Sequence, residues 1–149
     1  MKKFILASLI SVLCLNSCSN EPEKKANEST TIQEGQSNKI LGEGAAVIST
    51  AEFQKMISSA PIVLVDFSAT WCGPCKKLAP RIDELMQERP GAFTLVKSDV
   101  DRDVELAEYS NITAMPTLML YINGVLIWRN EGLIDKSELA EKIDEANNK

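Results

Sequence analysis

Histidine is missing from this sequence: none occurs among its 149 residues. That removes zinc sites built on imidazole, Ser–His and Cys–His nucleophilic pairs, and haem held by a proximal histidine. Basic clusters are missing as well. Lys and Arg number 16 against 21 Asp and Glu, and beyond Lys2–Lys3 the basic neighbours are only the pairs Lys24–Lys25 and Lys76–Lys77. A nucleic-acid surface needs a basic stripe, so nucleic acid is excluded as a partner. The apolar run at residues 4–15 is shorter than the roughly 20 residues of a comfortable membrane span. Cysteine is scarce, with four residues at 14, 18, 72 and 75.

What is present begins with a leader. Lys2 and Lys3 followed by residues 4–15 make a basic start and a short apolar stretch, the pattern of a secretory signal. The stretch ends in "LNSC", which resembles a bacterial lipobox: Leu15, Asn16, small Ser17, then Cys18. Asn16 departs from the small apolar or hydroxyl residue usual there. The resemblance implies a signal peptide over residues 1–17, cleaved before Cys18, with lipid on Cys18. Two or more acyl chains anchor a protein firmly where one does not. Residues 19–44 are rich in Glu, Lys, Ser, Asn and Gly and contain no aromatic residue. Such a stretch buries too little surface to fold, so residues 18–44 are expected to be a tether with a reach of roughly 30 Å. The expected location is extracytoplasmic, periplasmic in a bacterium, with the membrane as a partner through the lipid. Only Cys72 and Cys75 then remain as thiols, in a compartment where disulfide chemistry is natural.

From residue 45 the pattern changes. Residues 45–48 (AAVI) read as a short strand. Ser49 and Glu52 form a capping box for a helix carrying Phe53, Met56 and Ile57 at helical spacing, stopped by Pro61. Residues 62–69 are a continuous apolar run, the mark of a strand buried on both faces. A helix starts at the cysteines and runs toward Glu88, with Pro80 inside it. Residues 92–100 read as a strand and 101–110 as a short helix. Residues 117–130 form two strands joined by Asn123–Gly124, a type I′ hairpin signal. Residues 135–149 form a closing helix capped by Asp135 and Glu138. The order βαβαβαββα predicts an α/β fold with a parallel half and an antiparallel half.

The segment "TWCGPC" at residues 70–75 carries the chemistry. Zinc needs four ligands, and two thiols without histidine fall short. A structural staple closing so small a loop restricts the unfolded chain by only about 2 kcal/mol. Thiol–disulfide exchange is the reading left. Cys72 should sit at a helix N-terminus, where free N–H groups favour a thiolate. It is expected to be the more exposed sulfur and the nucleophile, with Cys75 resolving the mixed disulfide. Asp66, amid apolar residues, is expected to be buried with a raised pKa and to move the proton of Cys75; pairing with Lys97 is the alternative.

"VLVDFSATWCGPCKKLAP", "NITAMPTLMLYINGVL" and "EGLIDKSEL" resemble three segments of the thioredoxin family, and the resemblance covers residues 45–149. It implies the thioredoxin fold, with a central mixed sheet ending in an antiparallel hairpin and flanked by helices. It implies a redox-active Cys72–Cys75 disulfide, a proton-handling acid at Asp66, and a cis proline at Pro116. It implies a shallow client groove formed by Trp71, Gly73, Pro74, Met115, Pro116 and Gly132. Most thioredoxins carry a Trp where this chain has Ser68. No cofactor or metal is called for. The partners implied are disulfide-containing proteins and, outside the cytoplasm, a membrane thiol donor; the domain is expected to act as a monomer. The Gly73–Pro74 dipeptide resembles reducing members of the family. The compartment favours an oxidase or isomerase, which the dipeptide opposes, and a redox-inactive binding module is the third reading.

Overall fold

The structure, a computed structural model, describes residues 39–42, 44 and 46–149. The signal peptide, Cys18 and the tether up to residue 38 lie outside the described residues. Among the described residues nine elements follow in order: β1 (Ile40–Leu41), α1 (Thr50–Ile57), β2 (Ile62–Ser68), α2 (Gly73–Glu88), β3 (Thr94–Asp99), α3 (Val104–Tyr109), β4 (Thr117–Ile122), β5 (Val125–Glu131) and α4 (Lys136–Asn147). The sheet order is β1-β3-β2-β4-β5. β1 and β2 flank β3 in parallel, and β4 and β5 run antiparallel beyond β2. This is the mixed sheet with a closing hairpin that the sequence implies.

The apolar run of β2 fits its central place. Ile62 and Leu64 join a core formed with Leu78, Ile82 and Leu85 of α2 and Leu139 and Ile143 of α4. Val63, Val65 and Phe67 turn the other way, onto Phe53 and Ile57 of α1 and Leu106 of α3. Alternate side chains of a strand leave opposite faces, so a strand between two helical layers must be apolar at nearly every position. Asp66 breaks that run on the α2 side.

Local signals hold where the chain stands alone. Ser49 and Glu52 form the capping box in both directions. Asn123 and Gly124 both take positive φ, 50° and 80°, as a type I′ turn requires. α2 continues through Pro80.

Three expectations are corrected. The first strand is Ile40–Leu41, inside the stretch read as tether, while residues 46–48 form no strand. Leu95 N–H donates to the Lys39 carbonyl (2.9 Å), and Arg102 donates to the carbonyls of Gly42 and Gly44. These pairings, made by residues more than fifty positions away, order a segment whose two apolar residues, Ile40 and Leu41, are too few to mark a strand in the sequence. Gly42 (φ 75°) lies so close to the Lys97 carbonyl that a Cβ would sit 2.4 Å from it. The ordered domain therefore already includes Lys39. Asp135 has the backbone geometry of an N-cap without the side-chain bond; its carboxylate instead accepts from Arg81 at 3.1 Å. The third correction concerns the cysteines.

Candidate active site

The C-terminal ends of the parallel strands β2 and β3 converge on the start of α2, the usual position for a site in such a sheet. Cys72 is the N-cap of α2. Gly73 and Pro74 form the first helical positions, where a missing proline N–H leaves no bond unmade. The N–H of Cys75 donates to Cys72 Sγ at 3.2 Å. The two sulfurs are joined in a disulfide, S–S 2.02 Å.

Cys72 is not the more exposed of the two: Cys72 and Cys75 are 4% and 6% exposed. Ala69, Val100 and Met115 pack around the pair and cover both. The asymmetry between the sulfurs lies in their neighbours. Cys72 faces the amide at the helix start. Cys75 lines a cleft of about 200 Å³ together with Asp66, Ser68, Lys76, Ala79 and Lys97.

Asp66 is 6% exposed. Burial pushes its pKa up to about 6, against the opposing pull of Lys97 and with a smaller push from Asp83 on α2. Lys97 is its register partner on β3, so both expected surroundings, burial and a nearby lysine, are present together. Its Oδ1 has no hydrogen-bond partner among the described residues. A carboxyl group with a pKa near neutrality can both take and return a proton under ordinary conditions.

The remaining predicted residues gather on the other side of the sulfurs. Trp71 is 65% exposed, with Gly73 and Pro74 exposed beside it. Met115 packs on the cysteines, and the Met115–Pro116 bond is cis. Gly132 N–H donates to the Pro116 carbonyl at 2.7 Å, which brings the loop after β5 to this rim. Sequence reasoning missed three contributors. Asp101 accepts from Trp71 Nε1 at 2.7 Å; Val100 packs on the disulfide; Leu133, 45% exposed, follows Gly132. Val100 and Asp101 come straight after β3. The rule that sites form at the carboxyl ends of parallel strands was the signal that could have found them.

Comparisons with known proteins agree with this geometry. Residues 44–145 match the protein-family model described as Thioredoxin. The chain is 40% identical over 92 residues to probable thioredoxin-2 of Caenorhabditis elegans, covering 62% of this chain and 63% of that protein. It is 37% identical over 101 residues to thioredoxin 1 of Synechococcus elongatus, covering 67% of this chain and 94% of that one. The chain thus spans less than two thirds of the nematode protein and nearly all of the cyanobacterial one. Among solved structures, a mutant thioredoxin from Halobacterium salinarum superposes with a TM-score of 0.64 at 26% identity, over 78% of this chain and 96% of that one.

Proposed function

The chain belongs to the thioredoxin family and is a thiol–disulfide oxidoreductase of that type; on that premise we propose that it reduces disulfides of proteins outside the cytoplasm. Cys72 is the nucleophile, Cys75 the resolving thiol and Asp66 the proton carrier. The observation that carries these roles is the unequal setting of the sulfurs. An N–H points at Cys72 Sγ, and hydrogen bonding at a helix start favours a thiolate. Cys75 shares its cleft with a buried acid.

In the reduced protein the Cys72 thiolate attacks one sulfur of a client disulfide. A mixed disulfide forms and one client thiol leaves. Cys75 gives its proton to Asp66, attacks Cys72 Sγ and releases the second client thiol. Two electrons pass to the client, and the Cys72–Cys75 disulfide remains. Trp71, Gly73, Pro74, Met115, Pro116 and Gly132 receive the client strand along a free backbone edge.

The leader at residues 1–17 and Cys18 support an extracytoplasmic, lipid-anchored protein. Cytosolic reductases do not reach that side, so a membrane dithiol donor must return the electrons. Two measurements test the reading. Equilibration with glutathione or dithiothreitol gives the reduction potential: a value near about −270 mV fits a reductase, and one near about −120 mV makes the protein an oxidase. Cys75→Ser should trap client proteins as mixed disulfides on Cys72; the same partners recovered without covalent linkage would point to a passive binding module.

A further inference from the structure

The stretch from Gly132 to Asp135 joins β5 to α4 and lies in neither. Its first residue belongs to the client groove. Gly132 (φ 90°) donates its N–H to the Pro116 carbonyl at 2.7 Å, and its own carbonyl accepts from Asn130 Nδ2 at 3.0 Å. Leu133 stays exposed, while Ile134 is buried in the core with Leu78 and Ile82 of α2. A loop that opens on a glycine can swing about it, because glycine meets little steric resistance over a wide range of φ and ψ. A contact at the far end of the loop is needed to settle where it rests.

Arg81 of α2 makes that contact. Its guanidinium Nη1 donates to the Ile134 carbonyl and to Asp135 Oδ1 at 3.1 Å. The two bonds are unequal. The Arg81 and Asp135 side chains are 31% and 80% exposed, and an ion pair so open to water adds little. The carbonyl belongs to a buried residue, and a buried backbone acceptor left without a donor is costly. The carbonyl bond therefore fixes the loop. Lys136, next in the chain, reaches Glu84 and Glu88 of the same helix at 2.9 and 2.7 Å. The start of α4 is thus held to α2 without Arg81. What Arg81 adds is the position of residues 132–134.

We propose that Arg81 is a positioning residue for client recognition: by fastening the Ile134 carbonyl to α2, it keeps Gly132 and Leu133 in place beside Pro116. The helix that bears the cysteines and the edge that receives the client then move as one body. A loop already ordered costs nothing further to order when a client strand binds. Arg81 acts through the loop and not on the sulfurs. The inference rests on the groove assigned above.

The test compares a protein disulfide with a small one, on the full chain. Arg81→Ala should raise the KM for insulin reduction about fivefold while kcat stays within about twofold, the scale of ordering one loop segment. Its reaction with 5,5′-dithiobis(2-nitrobenzoate), which has no strand to place in the groove, should match wild type. By hydrogen exchange, the Gly132 amide should lose protection, while the amides of β4 should not. Asp135→Ala, which keeps the carbonyl bond, should leave the insulin KM near that of wild type. An unchanged insulin KM, or a Gly132 amide as protected as in wild type, overturns the role of Arg81. So does a parallel loss with both disulfides, which would place the damage at the cysteine pair. An Asp135→Ala KM as high as that of Arg81→Ala overturns the carbonyl bond as the cause. Wild type that fails to reduce insulin while reacting with the small disulfide overturns instead the groove reading on which the inference rests.

Discussion

Asp66 holds a carboxyl group where charge is poorly solvated, and its pKa near about 6 against 3.8 has a consequence for stability. Below about pH 3.8 the folded and unfolded chains both carry the proton, and no penalty exists. As pH rises through that interval the unfolded chain ionises first, so stability falls until about pH 6 and the penalty is complete above it. The difference corresponds to about 3 kcal/mol. In the oxidised protein, the stability of Asp66→Ala relative to wild type should therefore improve by about 3 kcal/mol between about pH 3.5 and about pH 7.5. Urea unfolding at the two pH values checks it; a constant difference would mean that Asp66 is not buried as a charge. Asp101 acts through Trp71. Asp101→Ala removes the indole's hydrogen-bond partner, worth about 1 kcal/mol, and should raise the client KM about fivefold while kcat changes little. Steady-state kinetics separates the two. Asp66 was legible in sequence because a lone acid in an apolar run can hardly be anything but buried. Asp101 was not, since its role depends on a strand end thirty residues from Trp71 arriving beside it.

At the scale of elements, what could be read was what the chain specifies locally. The capping box of α1 and the Asn123–Gly124 turn need only their own neighbours. β1 could not be read, because it is two residues long and exists by pairing with β3 and by the reach of Arg102. Asp103 completes that device. It is fully buried and accepts from Arg102, Ile48 N–H and Ser98. Burial pushes its pKa up, but the bonds from Arg102, Ile48 and Ser98 outweigh this and hold it below the ordinary carboxylate range. A chain beginning at Lys39 should match the full chain in thiol exchange and in unfolding midpoint. One beginning at Ala46 loses β1 and both carbonyl contacts of Arg102, and should be less stable by at least about 1 kcal/mol. Equal midpoints for the two would show that β1 contributes nothing.

At the scale of the molecule, two helical layers cover a five-stranded sheet, and the disulfide sits at one end of it. Its sequence separation is 3, so opening it relaxes a very short loop. Reduction should lower stability by only about 2 kcal/mol, and the reduced protein should keep its far-ultraviolet circular dichroism; collapse on reduction would make the bond a staple. The two sulfurs were legible because they sit in one contiguous motif, whereas their covering depends on Val100 and Met115, which reach them from distant parts of the chain. The placement of β1 also has a mechanical side. Tension applied through the chain before Lys39 enters the domain at the β1–β3 edge and at Arg102. Arg102 directly follows Asp101, which holds the indole of Trp71. A pull on the chain before Lys39 is thus delivered to the segment that shapes the rim of the groove, so stretching the protein from its N-terminus should alter client capture before it unfolds the core.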